Sequence, residues 1–344
     1  MMGHNAMRGA DKKSFEMLAR TCAVSVTYGD RAKLVRQMVE SVMKEGAACI
    51  ILVDNASSQA TKEELTRLQR ELGDKLHVVT EPSNLGSAGG YKEGLQKAMS
   101  LKGLDYFLLI DDDTILAEGA LKSLIEAYLF YRKKYEKGKD EFAVTGFRSA
   151  RRYFGRISIP SVRSCLFIPN NFRGFHVLNF LPTPLKRRTS WYRRMMEDCL
   201  SYAPYGGTLF HRSLIDRIGY PDERFYLYSD DHEFTRRIVQ ECEGIIRLVV
   251  ESELIEKEPS CYNTNHSKYQ KNHQNGYEML YYAYRNRAYL DARVTCTNHG
   301  LYNTNKFIYL ILLSLKLFLG GRMQELRFIL RAISDGENGL LGKK

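Results

Sequence analysis

The chain has 344 residues, 44% hydrophobic and 26% charged, which excludes global disorder and leaves room for one large α/β domain with an appendage or for two small domains. Its formal net charge of +11 is unevenly spread: Phe147 to Arg194 holds eleven Lys or Arg residues and no Asp or Glu, a field that attracts phosphate groups. Seven cysteines without CxxC spacing exclude a zinc finger, and their odd number and the lack of a signal peptide predict reduced thiols in the cytosol.

Residues 1–17 read as a polar tail. Thr21–Thr27 reads as a buried strand closed by the turn Tyr28-Gly29-Asp30, and Leu34, Met38 and Val42 give 31–44 helical spacing. Cys49–Val53 is a second continuous apolar strand, ending on Asp54-Asn55. A polar helix over 60–72, a strand Leu76–Val79, a glycine-rich loop Glu81–Gly90 and a helix from Tyr91 to Leu101 follow. The next apolar strand, Tyr106–Ile110, stops at Asp111-Asp112-Asp113. Strands without polar alternation, separated by helices, predict a mostly parallel sheet covered on both faces, with ligands beyond the carboxyl ends of the strands. Three of those ends carry chemistry: Tyr28-Gly29-Asp30, Asp54-Asn55 and Asp111–Asp113.

The basic stretch 147–194 has Pro160, Pro169, Pro182 and Pro184 and weak periodicity, and reads as loops or a lid within a catalytic domain spanning 18–276. Tyr205–Phe210 and Ile245–Val250 read as strands, Arg212–Ile218 as a short helix, and Asp230 through Cys242 as a longer one. The region 277–344 reads as helical, in segments Tyr277–Arg293, Asn305–Leu319 and Arg322–Ile333. Phe307–Leu319 is thirteen residues long and interrupted by Lys316, short of the ~20 that span a bilayer. It reads as a core helix or as an interfacial one, and Arg322, Arg327 and Arg331 after it favour the interface.

Three adjacent carboxylates repel one another unless a cation neutralises them. Alternate residues of an extended chain point the same way, so Asp111 and Asp113 can share a hard divalent ion, Mn2+ or Mg2+, that bridges to a diphosphate. A solvated acidic turn is the plainer alternative. Asp230-Asp231-His232-Glu233-Phe234 opens a helix, where negative charge is favoured; it reads as a cap or as the seat of a general base. Asn84-Leu85-Gly86-Ser87-Ala88-Gly89-Gly90 lets backbone N–H groups approach phosphates or forms a tight turn, and matches neither Walker A nor GxGxxG. His266 and His273 lie in a polar stretch, as surface residues or as a further metal ligand.

In order and at plausible spacing, these segments resemble a family 2 glycosyltransferase of the GT-A fold over roughly residues 20–290. Thr21–Asp30, with Thr27 and Tyr28, resembles the first strand and nucleotide-contacting turn; Leu52–Ser57 resembles the segment whose aspartate, here Asp54, reads the uracil or thymine ring. Asp111–Asp113 resembles the metal-binding DxD element and Asp231-His232-Glu233-Phe234 the element carrying the catalytic base. Tyr281–Asn286 resembles a YYxxRN element, and Arg331–Gly336 the closing DG signature.

The resemblance implies an inverting transfer from a nucleotide-diphosphate sugar. Asp111, Asp113 and His266 hold the metal; Asp54, Asn84, Gly86, Gly89, Gly90 and Asp112 hold the donor. Asp231 is the base, with Asp230 and Glu233 beside it. The Ala-Gly-Gly loop is similar to that of galactofuranosyltransferases, making UDP-galactofuranose the leading donor and dTDP-rhamnose the alternative. A polyprenyl-pyrophosphate-linked glycan acceptor and an anionic membrane surface, on the cytoplasmic face, are the expected partners. A nucleotidyltransferase, a sugar-binding scaffold, and a nucleic-acid-binding protein that stacks bases on Tyr153 or Phe154 are competing readings, and nucleic acid is not an expected partner.

Overall fold

The computed structural model describes residues 12–134, 141–148, 168–177, 199–258 and 276–344. In chain order the elements are β1 (Thr21–Gly29), α1 (Ala32–Lys44), β2 (Cys49–Ser57), α2 (Gln59–Leu72), β3 (Leu76–Glu81), α3 (Gly86–Ser100), β4 (Tyr106–Leu109), β5 (Thr114–Leu116) and α4 (Ala120–Lys134). After these come β6 (Phe142–Arg148), β7 (Cys199–Leu200), β8 (Thr208–His211), α5 (Ser213–Ile218), α6 (Asp230–Gln240) and β9 (Ile245–Glu256). Three helices end the chain: α7 (Gly276–Tyr289), α8 (His299–Leu319) and α9 (Met323–Glu337).

The strands form one sheet in the order β3-β2-β1-β4-β8-β6-β9-β5, with β7 paired to β9. Their unbroken apolar runs follow from burial on both faces, because successive side chains of a strand point to opposite sides. Cys22, Val24, Val26, Ile51 and Val53 pack with α3, α5 and α6. Ala23, Ile50 and Leu52, in between, pack with α1, α2 and α4. Each Val, Ile or Leu among them contributes about 1.5–3 kcal/mol when fully buried.

The sheet is mostly parallel, as expected, but two details require correction. The sheet is parallel only from β3 to β4 and between β6 and β9; β8 runs antiparallel to β4 and β6, and β5 and β7 antiparallel to β9. Parallel neighbours need a crossover, usually helical. β8 instead enters from the Gly206-Gly207 turn, and β5 follows β4 with no helix between them. β9 also runs on to Glu256 instead of stopping at Val250, through a register shift against β6 at Gly146/Phe147.

The second correction is that α3 begins at Gly86, so the glycines expected in a loop lie within its first turns. Glycine weakens a helix by about 1 kcal/mol, but close packing outweighs that here. A Cβ on Gly90 would stand 2.5 Å from Val26 Cγ1, and one on Gly94 2.6 Å from Val24 Cγ1. The glycine face therefore lets α3 lie directly on β1.

The C-terminal helices form their own apolar cluster, built on Leu280, Tyr282 and Tyr284 of α7, Tyr302 and Leu317 of α8, and Ile329 and Ile333 of α9. A Cβ on Gly336 would meet the carbonyl oxygen of Arg285 at 2.1 Å, which explains why glycine closes α9 where it crosses α7. α8 is only partly absorbed into this cluster. Phe307, Ile311, Leu312, Leu315, Phe318 and Leu319 are exposed, so the core-helix reading does not hold for that face. No helix among the described residues is long and apolar enough to cross a membrane.

Candidate active site

The carboxyl ends of β1, β2 and β4 open onto a cleft of about 350 Å³, whose other wall is the segment before α6 together with α7. Tyr28, Arg31, Asn55, Asn84, Gly86, Ser87, Asp111, Asp112 and Asp113 line it from the sheet side, and Tyr226, Tyr228 and Tyr282 from the other.

Two arginines organise the aspartates. Arg31 donates to Asp112 Oδ1 at 2.7 Å and to Glu258 Oε2 at 2.7 Å, while Asp113 Oδ2 lies 3.9 Å from the same guanidinium. Arg148, at the end of β6, donates to Asp111 Oδ2 at 2.8 Å and to Glu256 Oε1 at 2.5 Å. Arg148 reaches Asp111 only because residue 206 is glycine: a Cβ there would lie 1.7 Å from its Nη2. The Tyr91 hydroxyl stands 3.0 Å from Asp111 Oδ1 and 2.9 Å from the Ile110 carbonyl oxygen. Burial pushes Asp112 up to about 6 against the pull of Arg31, and burial with the charges of Asp111 and Asp112 pushes Asp113 up to about 7.

Among the described residues, no three acidic, histidine or cysteine side chains converge tightly enough to enclose a metal by themselves. The donor set is nevertheless one of hard oxygens at a strand end that opens into the cleft, with Asp113 protonated more readily than an ordinary carboxylate. A divalent cation held by Asp111 and Asp113 and completed by ligand oxygens fits that set. His266, the expected third ligand, lies outside the described residues, as do His273 and most of the basic stretch 147–194.

The predicted nucleotide-side residues are divided by the fold. Tyr28 lines the cleft, with its ring 4.9 Å from the Arg31 guanidinium, whereas Thr27 is buried at the foot of the site against Asp112. Asp54 is buried, and its Oδ1 accepts from the Ser57 N–H at 2.8 Å; the neighbouring Asn55 reaches the cleft instead. Asn55 accepts from Leu85 N–H at 2.8 Å and donates to the Gly86 carbonyl at 2.9 Å, while Asn84 Oδ1 accepts from the Gly86 N–H at 2.8 Å. Gly89 and Gly90 pack against Leu85 and Val26 and are not on the cleft wall.

The acidic turn that starts α6 is tied to α3. Ser87 Oγ donates to Asp230 Oδ2 at 2.7 Å, and Asp230 is buried, which together with the charge of Asp231 raises it to about 8. Asp231 Oδ1 accepts from the His232 N–H at 2.8 Å, and the His232 ring lies 4.0 Å from that of Tyr202. Glu233 is buried and engaged by Arg236 and Arg237, so it braces α6, and it is not among the residues that line the cleft.

The segment before α6 is strained. Tyr226, Tyr228 and Ser229 all have left-handed backbones, with φ of 62°, 67° and 58°. Such conformations cost about 1–3 kcal/mol each and persist only when surrounding contacts enforce them. The enforcing contacts come from α7: Asn286 Nδ2 donates to the carbonyls of Phe225, Leu227 and Tyr228 at 2.8, 2.9 and 2.7 Å, and Arg285 Nη2 to that of Phe225 at 3.1 Å. From the other side, Ala88 N–H donates to Tyr226 O at 3.2 Å. A Cβ on Gly86 would lie 2.0 Å from that same oxygen.

Sequence reasoning passed over Arg31, Tyr91 and Glu256, counted Arg148 only among the eleven basic residues of 147–194, and quoted Arg285-Asn286 without a role. The Gly206-Gly207 pair ahead of β8 was the one local sign that something approaches the backbone there.

The sequence profile described as glycosyl transferase family 2 matches residues 22–197, just over half of the chain. No curated protein matches it. Among solved structures, the mannosyltransferase PcManGT from Pyrobaculum calidifontis, in complex with GDP-Man and Mn2+, is 13% identical, with a TM-score of 0.51 over 92% of this chain and 86% of that one. GalNAc-T7 with UDP, GalNAc and Mn2+ is 16% identical (TM-score 0.48, 70% of this chain and 44% of that one). S. aureus TarS is 14% identical (TM-score 0.44, 80% and 40%), so the chain spans less than half the length of these two proteins. At these identities the likeness is one of fold, α/β and GT-A-like, with helices flanking the sheet. With its profile match beginning in β1 and running through the aspartate triplet, the chain belongs to glycosyl transferase family 2.

Proposed function

We propose that this protein transfers a sugar, with inversion, from a nucleotide-diphosphate donor to a hydroxyl of a lipid-linked or polysaccharide acceptor. The observation that carries the reading is the placement of Asp111–Asp113 and the Asp230-Asp231 turn on two elements joined by α3: Tyr91 contacts Asp111 and Ser87 contacts Asp230. Tyr28 and Asn55 line the side expected to receive the nucleotide. Asp111 and Asp113 would hold a divalent ion, whose chemistry there would be charge neutralisation of the leaving diphosphate. Asp231 takes the proton of the attacking hydroxyl, and Arg285 and Asn286 hold the segment that leads into the helix on which it sits.

Asp230 is a second reading for the base, because its raised value of about 8 lies near a working pH, where a general base is most effective. UDP-galactofuranose remains the leading donor on the resemblance of the glycine loop, with dTDP-rhamnose as the alternative. Thermal-shift measurements with UDP-, dTDP- and GDP-sugars, each with Mn2+ or Mg2+, are expected to pick out one nucleotide and to require the metal. Turnover is expected to release a nucleoside diphosphate; release of pyrophosphate would assign the site to nucleotidyl transfer instead.

The exposed face of α8, followed by Arg322, Arg327 and Arg331, supports attachment to an anionic membrane on which a polyprenyl-linked acceptor is presented, at the cytoplasmic face.

A further inference from the structure

The segment after α9 folds back over the cleft. Gly342 N–H donates to the Arg224 carbonyl at 2.6 Å, and Arg285 Nη1 donates to the Gly342 carbonyl at 2.5 Å. Two residues on, Lys344 N–H donates to the Tyr282 hydroxyl at 2.8 Å, and its Nζ lies 3.2 Å from Asp335 Oδ2. Lys343, pinned between these anchors, is exposed and turned towards the cleft: its Nζ donates to the Asn84 carbonyl at 3.0 Å and lies 5.4 Å from the Tyr226 ring centroid. Asn84, Tyr226 and Tyr282 line the same cleft as the three aspartates.

Charge gives this placement its meaning. The cleft is lined by Asp111, Asp112, Asp113, Glu256, Glu258 and Glu278 against Arg31 and Arg148, and both arginines are already paired with those acids. A diphosphate entering such a cleft meets net repulsion that a single divalent ion at Asp111 and Asp113 does not fully cancel. Lys344 is neutralised by Asp335, and Lys92 by Glu223. For Lys343 no carboxylate among the described residues lies within ion-pair distance; its recorded partners, a carbonyl and an aromatic face, carry no formal charge. It is a cation held at the rim by backbone anchors on both sides.

We propose that Lys343 binds a diphosphate oxyanion in the cleft, a binding residue contributed by the chain beyond the sheet. The proposal rests on the reading of the cleft as a nucleotide-sugar site. The diphosphate belongs either to the donor or to a lipid-pyrophosphate acceptor, and the two sources are separable.

The experiment is calorimetric titration of the full chain with UDP, dTDP and GDP in the presence of Mn2+, and separately with inorganic pyrophosphate, for wild type, Lys343→Met, Lys343→Arg and Lys344→Met. A charge-assisted contact of this kind is worth about ten-fold in affinity. Lys343→Met is expected to weaken binding by that factor with an unchanged thermal midpoint, Lys343→Arg to restore most of it, and Lys344→Met to bind like wild type. A loss for both the nucleotide and pyrophosphate assigns Lys343 to the donor; a loss for pyrophosphate alone assigns it to the acceptor's diphosphate. Wild-type affinity for every probe in Lys343→Met overturns the proposal and leaves the nucleotide-sugar reading intact. Failure of the wild-type protein to bind any of the nucleotides or pyrophosphate overturns both.

Discussion

The side-chain amide of Asn286 donates to the carbonyl oxygen of Tyr228, 2.7 Å away, and so fixes a left-handed residue two positions ahead of Asp230. Replacing Asn286 with Ala removes a partner shared by three carbonyls and leaves the strain unopposed. Leaving a buried acceptor unsatisfied costs about 1–3 kcal/mol. Asn286→Ala is expected to lower the unfolding free energy by that order and to reduce kcat more than the affinity for nucleotide. Equal stability in denaturant titrations would remove the clamp from the account.

Gly86→Ala adds a Cβ 2.0 Å from Tyr226 O at a residue with φ of +73°, so the loop must separate from α3. Several kcal/mol of destabilisation, or failure to fold, is the expected result. Gly29→Ala is the matched control: φ is +61° but nothing lies within 4 Å of the added atom. It is expected to cost about 1–3 kcal/mol from backbone strain alone. Similar midpoints for the two variants would contradict the close approach.

The two acidic clusters separate by phenotype. Asp113→Ala is expected to lose the metal-dependent part of nucleotide binding. Asp231→Asn is expected to abolish turnover, by about 10²-fold or more, while nucleotide affinity stays within a few-fold. If Asp231→Asn retains turnover and Asp230→Asn does not, the proton is taken by Asp230.

Stability depends on pH through Asp230. Its folded value of about 8 lies above the ordinary 3.8, so the native protein keeps a proton that the unfolded chain releases between those values. Stability therefore falls as pH rises through this window, by a few kcal/mol. Asp230→Asn keeps an acceptor for Ser87 and abolishes this part of the slope. Unfolding midpoints from pH 5 to 9 are expected to show the variant gaining on wild type as pH rises, and parallel curves would deny the shift.

The α8 face gives a fifth expectation. Phe318 and Leu319 are 67% and 85% exposed. Leu315→Glu with Phe318→Glu is expected to abolish co-sedimentation with anionic vesicles without lowering the unfolding midpoint. Binding that survives both charges would place the membrane contact elsewhere.

Much of the first half of the fold was legible because its signals are local. β1, β2 and α1 announce themselves by runs and spacings that a strand or helix buries within a few residues. The second half depends on partners far apart in the chain. β8 lies between β4 and β6, and nothing in Thr208–His211 records that Leu109 and Thr145 will flank it. Asn286 meets carbonyls about 60 positions earlier, and Arg148 was visible only as one positive charge among eleven. The glycines of α3 misled for a related reason: their local preference is for a turn, and their use is to admit Val24, Val26 and Tyr226.

Gly86 and Ser87 are neighbours in sequence with separate duties, the first admitting the backbone of Tyr226 and the second bonding Asp230. Two adjacent residues of α3 thus carry its contact with the strained segment and its contact with the acidic turn, so a shift of the start of α3 would move both together.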